Sequence, residues 1–296
     1  MENGTSDDVT EVLRDHDGWP TGLRAIEVEP TRLWLRGRRA VLDSPRRVAI
    51  VGSRAPTPYG VSQAERFGFE LASAGLCVVS GLARGVDSAA HTGALRAGGA
   101  TIGVLGCGVD RPWPAGPLAD RMVREGLLLS EYAPGTAPRR HHFPMRNRII
   151  AGLSDAVVVI EAARASGSLI TARWAADQGQ DVFALPGRVD HPMARGTLDL
   201  IREGATPVES PAMLLQDLYG GQQGELLATE PGPIAAANPL EESILSALQG
   251  ETMPASEVAS AIARGLHDTL SALSSMEVRG LLRRAPGGLY HLARST

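Results

Sequence analysis

From about residue 45, short runs of apolar and β-branched residues alternate with longer stretches of helical pattern. The runs are typical of buried strands, and the stretches between them predict helices, which include Gly60–Ala74, Val86–Ala97 and Ser168–Gln178. Strand–helix alternation at this spacing indicates βαβ units, so we predict an α/β fold with a doubly wound, mostly parallel, Rossmann-like sheet. The predicted strands are Val48–Val51, Leu76–Val79, Thr101–Leu105, Leu127–Leu129, Ala156–Ile160 and Asp181–Leu185.

The same patterns divide the chain into four segments. Residues 1–44 lack strong periodicity and predict a partly disordered lead-in with one short strand, Arg32–Arg36. Residues 45–218 form the predicted sheet domain, and residues 219–238, rich in Gly, Gln, Pro and Ala, predict a linker. Residues 239–296 predict a small winged-helix domain. Its helices are Leu240–Leu248, Ser256–Ala263 and Asp268–Val278, and its hairpin strands are Leu281–Arg284 and Leu289–Leu292.

Four of the predicted strands run into turns made of small residues. In an open parallel sheet, ligands bind beyond the carboxyl ends of the strands. Small residues let backbone N–H groups approach a ligand there, and each following helix adds partial positive charge. One such turn alone is a plain strand–helix connection, but four at one edge, two with arginine, predict a composite phosphate site. The turns are Gly52-Ser53-Arg54, Ser80-Gly81-Leu82-Ala83-Arg84-Gly85, Gly106-Cys107-Gly108-Val109-Asp110 and Ser166-Gly167-Ser168.

A basic segment lies between the third and fourth of these turns. Residues 133–153 contain four arginines, two histidines and no acidic residue. The segment is either a solvated basic loop ahead of a helix or a patch that follows a nucleic-acid backbone and stacks Phe143 on a base. Arg146 and Arg148 could instead pair partly with carboxylates, and Asn147 could hydrogen-bond either backbone or ligand. The predicted contacts in this segment are Arg140, Phe143, Arg146, Asn147 and Arg148.

Composition excludes several classes of protein. The net charge of −4 means that any nucleic-acid site is a local patch. The chain has no lysine, which excludes a lysine Schiff base and a Walker-type phosphate lysine. Two cysteines, Cys77 and Cys107, do not make a disulfide framework. The N-terminus is acidic and polar, unlike a signal peptide, and no apolar stretch reaches the length of a membrane span. We therefore expect a cytoplasmic protein.

Enzymatic templates do not fit the sequence. The run Gly106-Cys107-Gly108 begins a dinucleotide fingerprint, but Arg111 stands where the third glycine belongs. No zinc-ligand spacing and no nucleophile elbow occur. His91 and Asp110 have ordinary structural interpretations, as a core or surface histidine and as a turn residue. Glu161 follows a strand but has no evident partner acid or nucleophile. We predict no catalytic residue, no metal and no cofactor.

Seven runs of the sequence, in order, resemble the core of the DNA-processing protein A (DprA/Smf) family over about residues 45–190. They are VAIVGSRAPTPYG, SGLARGVDSAAHTGAL, GCGVDRPWP, LLSEYAPG, HFPMRNRIIAGLSDAVVVIEA, SGSLITARWA and DVFALPG. The resemblance implies an extended Rossmann fold that binds single-stranded DNA in a basic pocket. It also implies homodimers that protect incoming single-stranded DNA and hand the strand over to the RecA recombinase in natural transformation.

The resemblance also assigns individual residues. Arg54 matches the arginine of the family's GSR turn, and Arg84 stands where many members have lysine. Arg140 and Phe143 match a basic residue and an aromatic residue that contact DNA in the family. Trp113 occupies a place where the family usually has tyrosine. Most members have a helical domain ahead of the core, whereas only about 45 residues precede the first core strand here, so the functions of that domain stay unassigned.

Three functional hypotheses follow. The first is a non-enzymatic single-stranded-DNA-binding protein. The second is a nucleotide phosphoribohydrolase of the lonely-guy type, in which the glutamate of a PGGxGTxxE turn acts as a general acid or base. The corresponding turn here, residues 166–172, has no acid, which counts against hydrolysis. The third is a scaffold that acts through the winged helix. That domain has six acidic residues and five arginines from Leu240 onward, so a protein-contact or dimer-supporting role suits it as well as DNA binding.

Overall fold

A computed structural model describes residues 8–16, 18–220, 239–248, 252–278, 281–285 and 289–292. The chain divides into two compact units, Met1–Leu226 and Leu227–Thr296. The predicted disordered tip at residues 1–7 lies outside the described residues, as does the predicted linker from residue 221 to 238. None of the described helices is both long and apolar enough to cross a membrane.

The first unit is built on one nine-stranded sheet flanked by helices. The strands are β1 (Val9–Leu13), β2 (Arg32–Gly37), β3 (Arg47–Val51), β4 (Cys77–Ser80), β5 (Thr101–Leu105), β6 (Leu127–Ser130), β7 (Ala156–Val159), β8 (Asp181–Ala184) and β9 (Thr206–Pro207). The helices are α1 (Pro58–Ser73), α2 (Val86–Arg96), α3 (Pro117–Glu125), α4 (His142–Gly152), α5 (Ser168–Asp177), α6 (Arg195–Arg202) and α7 (Pro211–Tyr219). Short 3-10 turns occur at Thr21–Ala25, Arg39–Asp43 and Pro192–Ala194.

The strand order confirms the predicted α/β fold and locates its ligand edge. The order across the sheet is β1-β2-β6-β5-β4-β3-β7-β8-β9, with parallel pairing from β6 to β9 and antiparallel pairing of β2 with β1 and β6. The chain runs outward from β3 to β6 and then returns to start β7 on the other side of β3. The switch point therefore lies between β3 and β7, where open α/β sheets bind ligands.

The lead-in extends the same sheet and core. Val12 of β1 and Leu33 of β2 are buried, and Trp19, Leu23 and Ile26 belong to the apolar cluster that also contains Ile149 of α4. Helix α4 therefore packs between the sheet and this segment. The sequence pattern did not indicate this because the segment has no helical repeat, and its two strands, β1 and β2, lie at one margin of the sheet. The described part of the lead-in thus belongs to the first compact unit, although its predicted boundary at residue 44 separated it.

Helix α1 begins at a capped N-terminus beside the switch point. The Thr57 side-chain oxygen accepts a hydrogen bond from the Gly60 amide at 3.1 Å and donates to Glu161 Oε1 at 2.6 Å. The Thr57 amide donates to the other Glu161 oxygen at 2.8 Å. A Cβ at Gly60 would lie 2.3 Å from Glu161 Oε2, so only glycine leaves room for this carboxylate. Glu161 thus satisfies the helix start.

Thr57→Ala is expected to lower the free energy of unfolding by about 1 kcal/mol, because it removes the side-chain cap of α1. Chemical denaturation monitored by circular dichroism measures this. Thr57→Ser keeps the hydroxyl and should stay close to the parent protein. Equal losses in both variants would contradict a capping role for the hydroxyl.

The second unit contains three helices and a small sheet. Helices α8 (Pro239–Ala247), α9 (Ala255–Ala261) and α10 (Leu266–Val278) accompany strands β10 (Met253–Pro254), β11 (Leu282–Ala285) and β12 (Leu289–Leu292). The sheet order is β10-β12-β11, and all its pairs are antiparallel. Its core includes Ile244, Val258, Leu273, Met276 and Tyr290. The elements follow the predicted order, and the assignment as a winged helix stays a prediction.

Candidate nucleic-acid interface

Three cavities open at the carboxyl edge of the sheet among the described residues, and two of them are lined by the predicted turns. The larger of these two, of about 620 Å³, lies beyond β3 and β7 against α4. The smaller, of about 240 Å³, lies beyond β4 and β5. Of the predicted site residues, the larger cavity is lined by Gly52, Ser53, Arg54, Arg140, Phe143, Arg146, Asn147, Ser166, Gly167 and Ser168. The smaller is lined by Arg54, Gly81, Arg84 and Phe143.

The turn after β3 is held rigidly and presents Arg54. The Ser53 amide donates to the Glu161 carbonyl oxygen at 2.6 Å, and the Ser53 carbonyl accepts from the Val86 amide at 3.1 Å. A Cβ at Gly52 would lie 2.9 Å from the Glu161 carbonyl oxygen, which explains the glycine. Arg54 is exposed, and its guanidinium carbon lies 5.2 Å from the centre of the Phe143 ring. The predicted arginine and aromatic residue therefore form one cation–π pair at the mouth of both cavities.

The turn after β4 is shaped by buried groups. The Asp87 carboxylate accepts hydrogen bonds from the Gly81 and Ala83 amides at 3.1 and 3.3 Å. Ser80 is fully buried, and its hydroxyl donates to the Ile50 carbonyl oxygen at 2.6 Å. Gly85 has a φ of +85°, and a Cβ there would lie 2.4 Å from the Ser53 carbonyl oxygen. Ser80 and Gly85, predicted as DNA contacts, line neither cavity and set the shape of the turn.

Arg146 is buried beneath this turn. It is 3% exposed, and its Nη1 donates to the Gly81 carbonyl oxygen at 2.8 Å and to that of Val104. Burial lowers the pKa of Arg146 to about 10, although the charge of Asp87 partly opposes this, so the side chain stays protonated at neutral pH. Burial has the opposite effect on the acid: it raises the pKa of the Asp87 carboxyl, and the positive charge of Arg146 partly counteracts this rise. Arg146 lines the larger cavity, but its Nε and Nη1 groups donate hydrogen bonds to other protein groups.

Arg148 has a structural role as well. Its guanidinium makes two hydrogen bonds to the Glu131 carboxylate, at 2.7 and 2.6 Å, and its Nε donates to the Val28 carbonyl oxygen at 2.7 Å. Arg148, predicted as a DNA contact, is buried and lines neither cavity, so its position suits a structural role. Asn147 lines the larger cavity and donates to the Gly167 carbonyl oxygen at 3.1 Å, which ties α4 to the turn before α5.

The turn after β5 supports the aromatic residue. A Cβ at Gly106 would lie 3.1 Å from the Phe143 ring, so this glycine lets the ring pack closely on the turn. The Gly108 amide donates to the Thr136 carbonyl oxygen at 2.9 Å. Asp110 accepts from the Gly135 amide at 2.8 Å, which agrees with its interpretation as a turn residue. Gly106 and Gly108, predicted as DNA contacts, line neither cavity and hold the loop behind Phe143.

The exposed charge at this edge is positive. Within the described residues, the exposed guanidinium groups of Arg54, Arg84 and Arg140 make no ion pair with a carboxylate. Some exposed arginines elsewhere do pair, such as Arg66 with Glu70, whereas others in the described residues, such as Arg173 and Arg202, also make no ion pair. The single carboxylate that lines the two cavities is Asp87, which is buried. An anion entering from solvent therefore meets three uncompensated arginines.

The candidate catalytic groups have structural positions. His91 is fully buried, with Nδ1 2.7 Å from Thr101 Oγ1, and burial lowers its pKa to about 3, so the ring is neutral and closed off from solvent. Glu161 caps α1. No cluster of three or more potential metal ligands occurs among the residues with described positions. Sequence reasoning missed Asp87, whose signal was an acid in the first turn of α2, and it assigned no contact to Trp113, which lines the smaller cavity.

Comparison with known proteins decides the family. The family model for DNA recombination-mediator protein A matches residues 10–219, which include the whole nine-stranded sheet except the first residue of β1. The chain belongs to the DNA recombination-mediator protein A family. It is 37% identical over 289 residues to the Smf protein of Escherichia coli, a match that covers 95% of this chain and 77% of the relative.

Two solved structures of DNA recombination-mediator proteins share the fold. DNA processing protein A of Streptococcus pneumoniae superposes with a TM-score of 0.67 at 42% identity, over 70% of this chain and 74% of that one. The protein from Helicobacter pylori, whose structure concerns its single-stranded-DNA-binding mode, gives a TM-score of 0.66 at 31% identity over 73% and 97%. Because the family consists of recombination mediators, the phosphoribohydrolase alternative loses its support.

Proposed function

We propose that the larger cavity binds single-stranded DNA without reading its sequence. The observation that carries the proposal is the Arg54–Phe143 pair at the cavity mouth, with Arg140 on the same lining. Arginine holds phosphate oxygens through its planar fork and keeps its charge at all physiological pH values. Phe143 offers a ring face to a base, and any base has a face to stack. Backbone charge and base stacking together suit a sequence-independent ligand.

Single strands fit this site better than duplexes do. A duplex already stacks both faces of each base, so Phe143 gains nothing from it without unstacking a step. The glycine and serine turns that line the cavity, at Gly52–Ser53 and Ser166–Ser168, bring backbone close enough for phosphates, and their serine hydroxyls already hydrogen-bond within the protein. The contacts therefore belong to the positioning class rather than the sequence-reading class.

Family membership extends the proposal to partners. A recombination mediator delivers single-stranded DNA to a recombinase, so we propose that this chain loads RecA, protects incoming DNA in natural transformation and acts as a cytoplasmic homodimer. Sedimentation equilibrium tests the dimer. Assembly of RecA on single-stranded DNA, with and without the protein, tests the loading. Unchanged RecA assembly would remove this part of the proposal and leave DNA binding intact.

The affinity for a single-stranded oligonucleotide is expected to fall with salt with a log–log slope of about −2, since three arginines would displace counterions at about 0.7 each. This corresponds to roughly a 15-fold loss between about 50 and 200 mM salt. Fluorescence anisotropy with labelled poly-dT and with a duplex of equal length measures both the slope and the preference. Equal affinity for the duplex, or no salt dependence, would contradict the proposed site.

A further inference from the structure

The Arg54–Phe143 pair is shared by the two cavities that the predicted turns line. Both residues line the larger cavity and also the smaller cleft. The proposed DNA site occupies the larger cavity, which leaves the smaller cleft, about 240 Å³, without a role. Trp113, Pro114 and Arg84 line the smaller cleft and not the larger cavity.

Trp113 is an unusual surface residue. It is 53% exposed, whereas Trp19 of the same unit is 3% exposed. Its loop is nevertheless held in place, because Gly108 and Asp110 hydrogen-bond to the segment at residues 135–136. Leaving a large ring half in water forgoes the burial that usually stabilises tryptophan. An exposed aromatic ring that lines the same cleft as arginines is the arrangement that single-strand-binding surfaces use to stack bases.

The charge around the cleft suits the same ligand. Arg54 and Arg84 both line it, and no acidic side chain does so among the described residues. A strand held by Arg54 can place one base against Phe143 in the larger cavity and the adjacent base in the smaller cleft. A strand that entered only the larger cavity would leave the ring of Trp113 without a contact.

We propose that Trp113 stacks on a second nucleobase in the smaller cleft, so that single-stranded DNA occupies both cavities and bends around the Arg54–Phe143 pair. The inference rests on the proposed DNA-binding function and extends it by one base step. Arg84 contacts the phosphate that follows Arg54 along the strand. The larger cavity thus accepts the first base, and the cleft accepts its neighbour.

Trp113→Ala is expected to weaken poly-dT binding roughly 5- to 150-fold, the range for loss of one stacked base. Trp113→Phe keeps a ring and should bind within about three-fold of the parent protein. Tyr59→Ala is the matched control, because Tyr59 is 51% exposed at the same edge but lines a separate cavity. Its affinity should be unchanged. Equal losses for the Trp113→Ala and Tyr59→Ala variants, or no loss for the first, would overturn the assignment.

Tryptophan fluorescence gives a readout that a purely structural role would not move. Saturating poly-dT should quench the tryptophan fluorescence of the parent protein. The Trp113→Phe variant should still bind poly-dT but show little of that quenching. Quenching that persists in Trp113→Phe would overturn the stacking. The two proposals can be disproved separately. If the parent protein binds no single-stranded DNA, the proposed function is wrong. If Trp113→Ala binds with the affinity of the parent protein, only the stacking of a second base on Trp113 is wrong. Thermal unfolding of each variant confirms that it is folded.

Discussion

Arg54→Ala is expected to lower the affinity for single-stranded DNA roughly 10- to 150-fold, because a hydrogen bond to a charged group contributes about 1.5–3 kcal/mol. Two effects combine at this position. The variant loses the guanidinium group that would bind a phosphate. It also loses the cation that lies 5.2 Å from the centre of the Phe143 ring and helps to orient that ring. The salt slope should become shallower by about 0.7. Anisotropy titrations at several salt concentrations measure both quantities.

Two variants control for this result. Arg66→Ala removes the same charge from the exposed part of α1, where Arg66 pairs with Glu70, and should leave DNA affinity nearly unchanged. Arg54→Lys keeps the charge but not the planar fork, so it should retain part of the affinity and the full salt slope. If Arg54→Ala and Arg66→Ala weakened binding equally, the net charge of the protein rather than this cavity would be responsible.

Arg146→Met is expected to lower the free energy of unfolding by about 3–5 kcal/mol, since it leaves buried carbonyls unsatisfied and the Asp87 carboxylate without a neighbouring positive charge. The carbonyl oxygens are those of Val104 on β5 and of Gly81 in the turn after the neighbouring strand β4. Methionine roughly preserves the side-chain volume, so the loss reports polar contacts rather than a cavity. Urea denaturation measures the effect.

The controls separate stability from binding. Arg66→Met changes an exposed pair and should alter stability by no more than about 0.5 kcal/mol. Arg146→Lys keeps a buried charge with fewer donors and should give an intermediate loss. Binding measured under conditions where Arg146→Met is folded should also fall, because Arg146 and Asp87 hold the backbone of the turn at residues 80–85. A variant as stable as the parent protein would show that this network contributes little.

The order of strands and turns was accessible from the sequence because strand–helix alternation and glycine turns are local signals. All six strands predicted from apolar runs occur, with ends displaced by at most one residue. The turn arginines Arg54 and Arg84 also lie where the pattern placed them. The strands β1 and β9 escaped prediction, because they lie at the sheet margins, where neighbouring elements rather than an apolar run decide pairing.

The roles of the arginines in and just before helix α4 were only partly accessible from the sequence. Residues 139–148 form one basic run, in which the sequence leaves both DNA contact and pairing with carboxylates open for Arg146 and Arg148. The helix rotation turns Arg146 toward the Gly81 carbonyl oxygen and Arg148 toward Glu131, while Arg140 stays exposed. Partners so distant along the chain are set by packing of α4 against the sheet. Burial and pairing therefore depend on contacts that no spacing rule contains.

The fold class, the edge at which ligands bind and the presence of a local basic patch on an acidic protein follow from periodicity, turn chemistry and charge order along the chain. Which arginines remain without an ion pair, which ones support the turns and that Trp113 lines the same cleft as Phe143 became known from the folded arrangement. The physical reason is that free charge and ring exposure are properties of neighbours in space, which packing brings together from segments far apart in the chain.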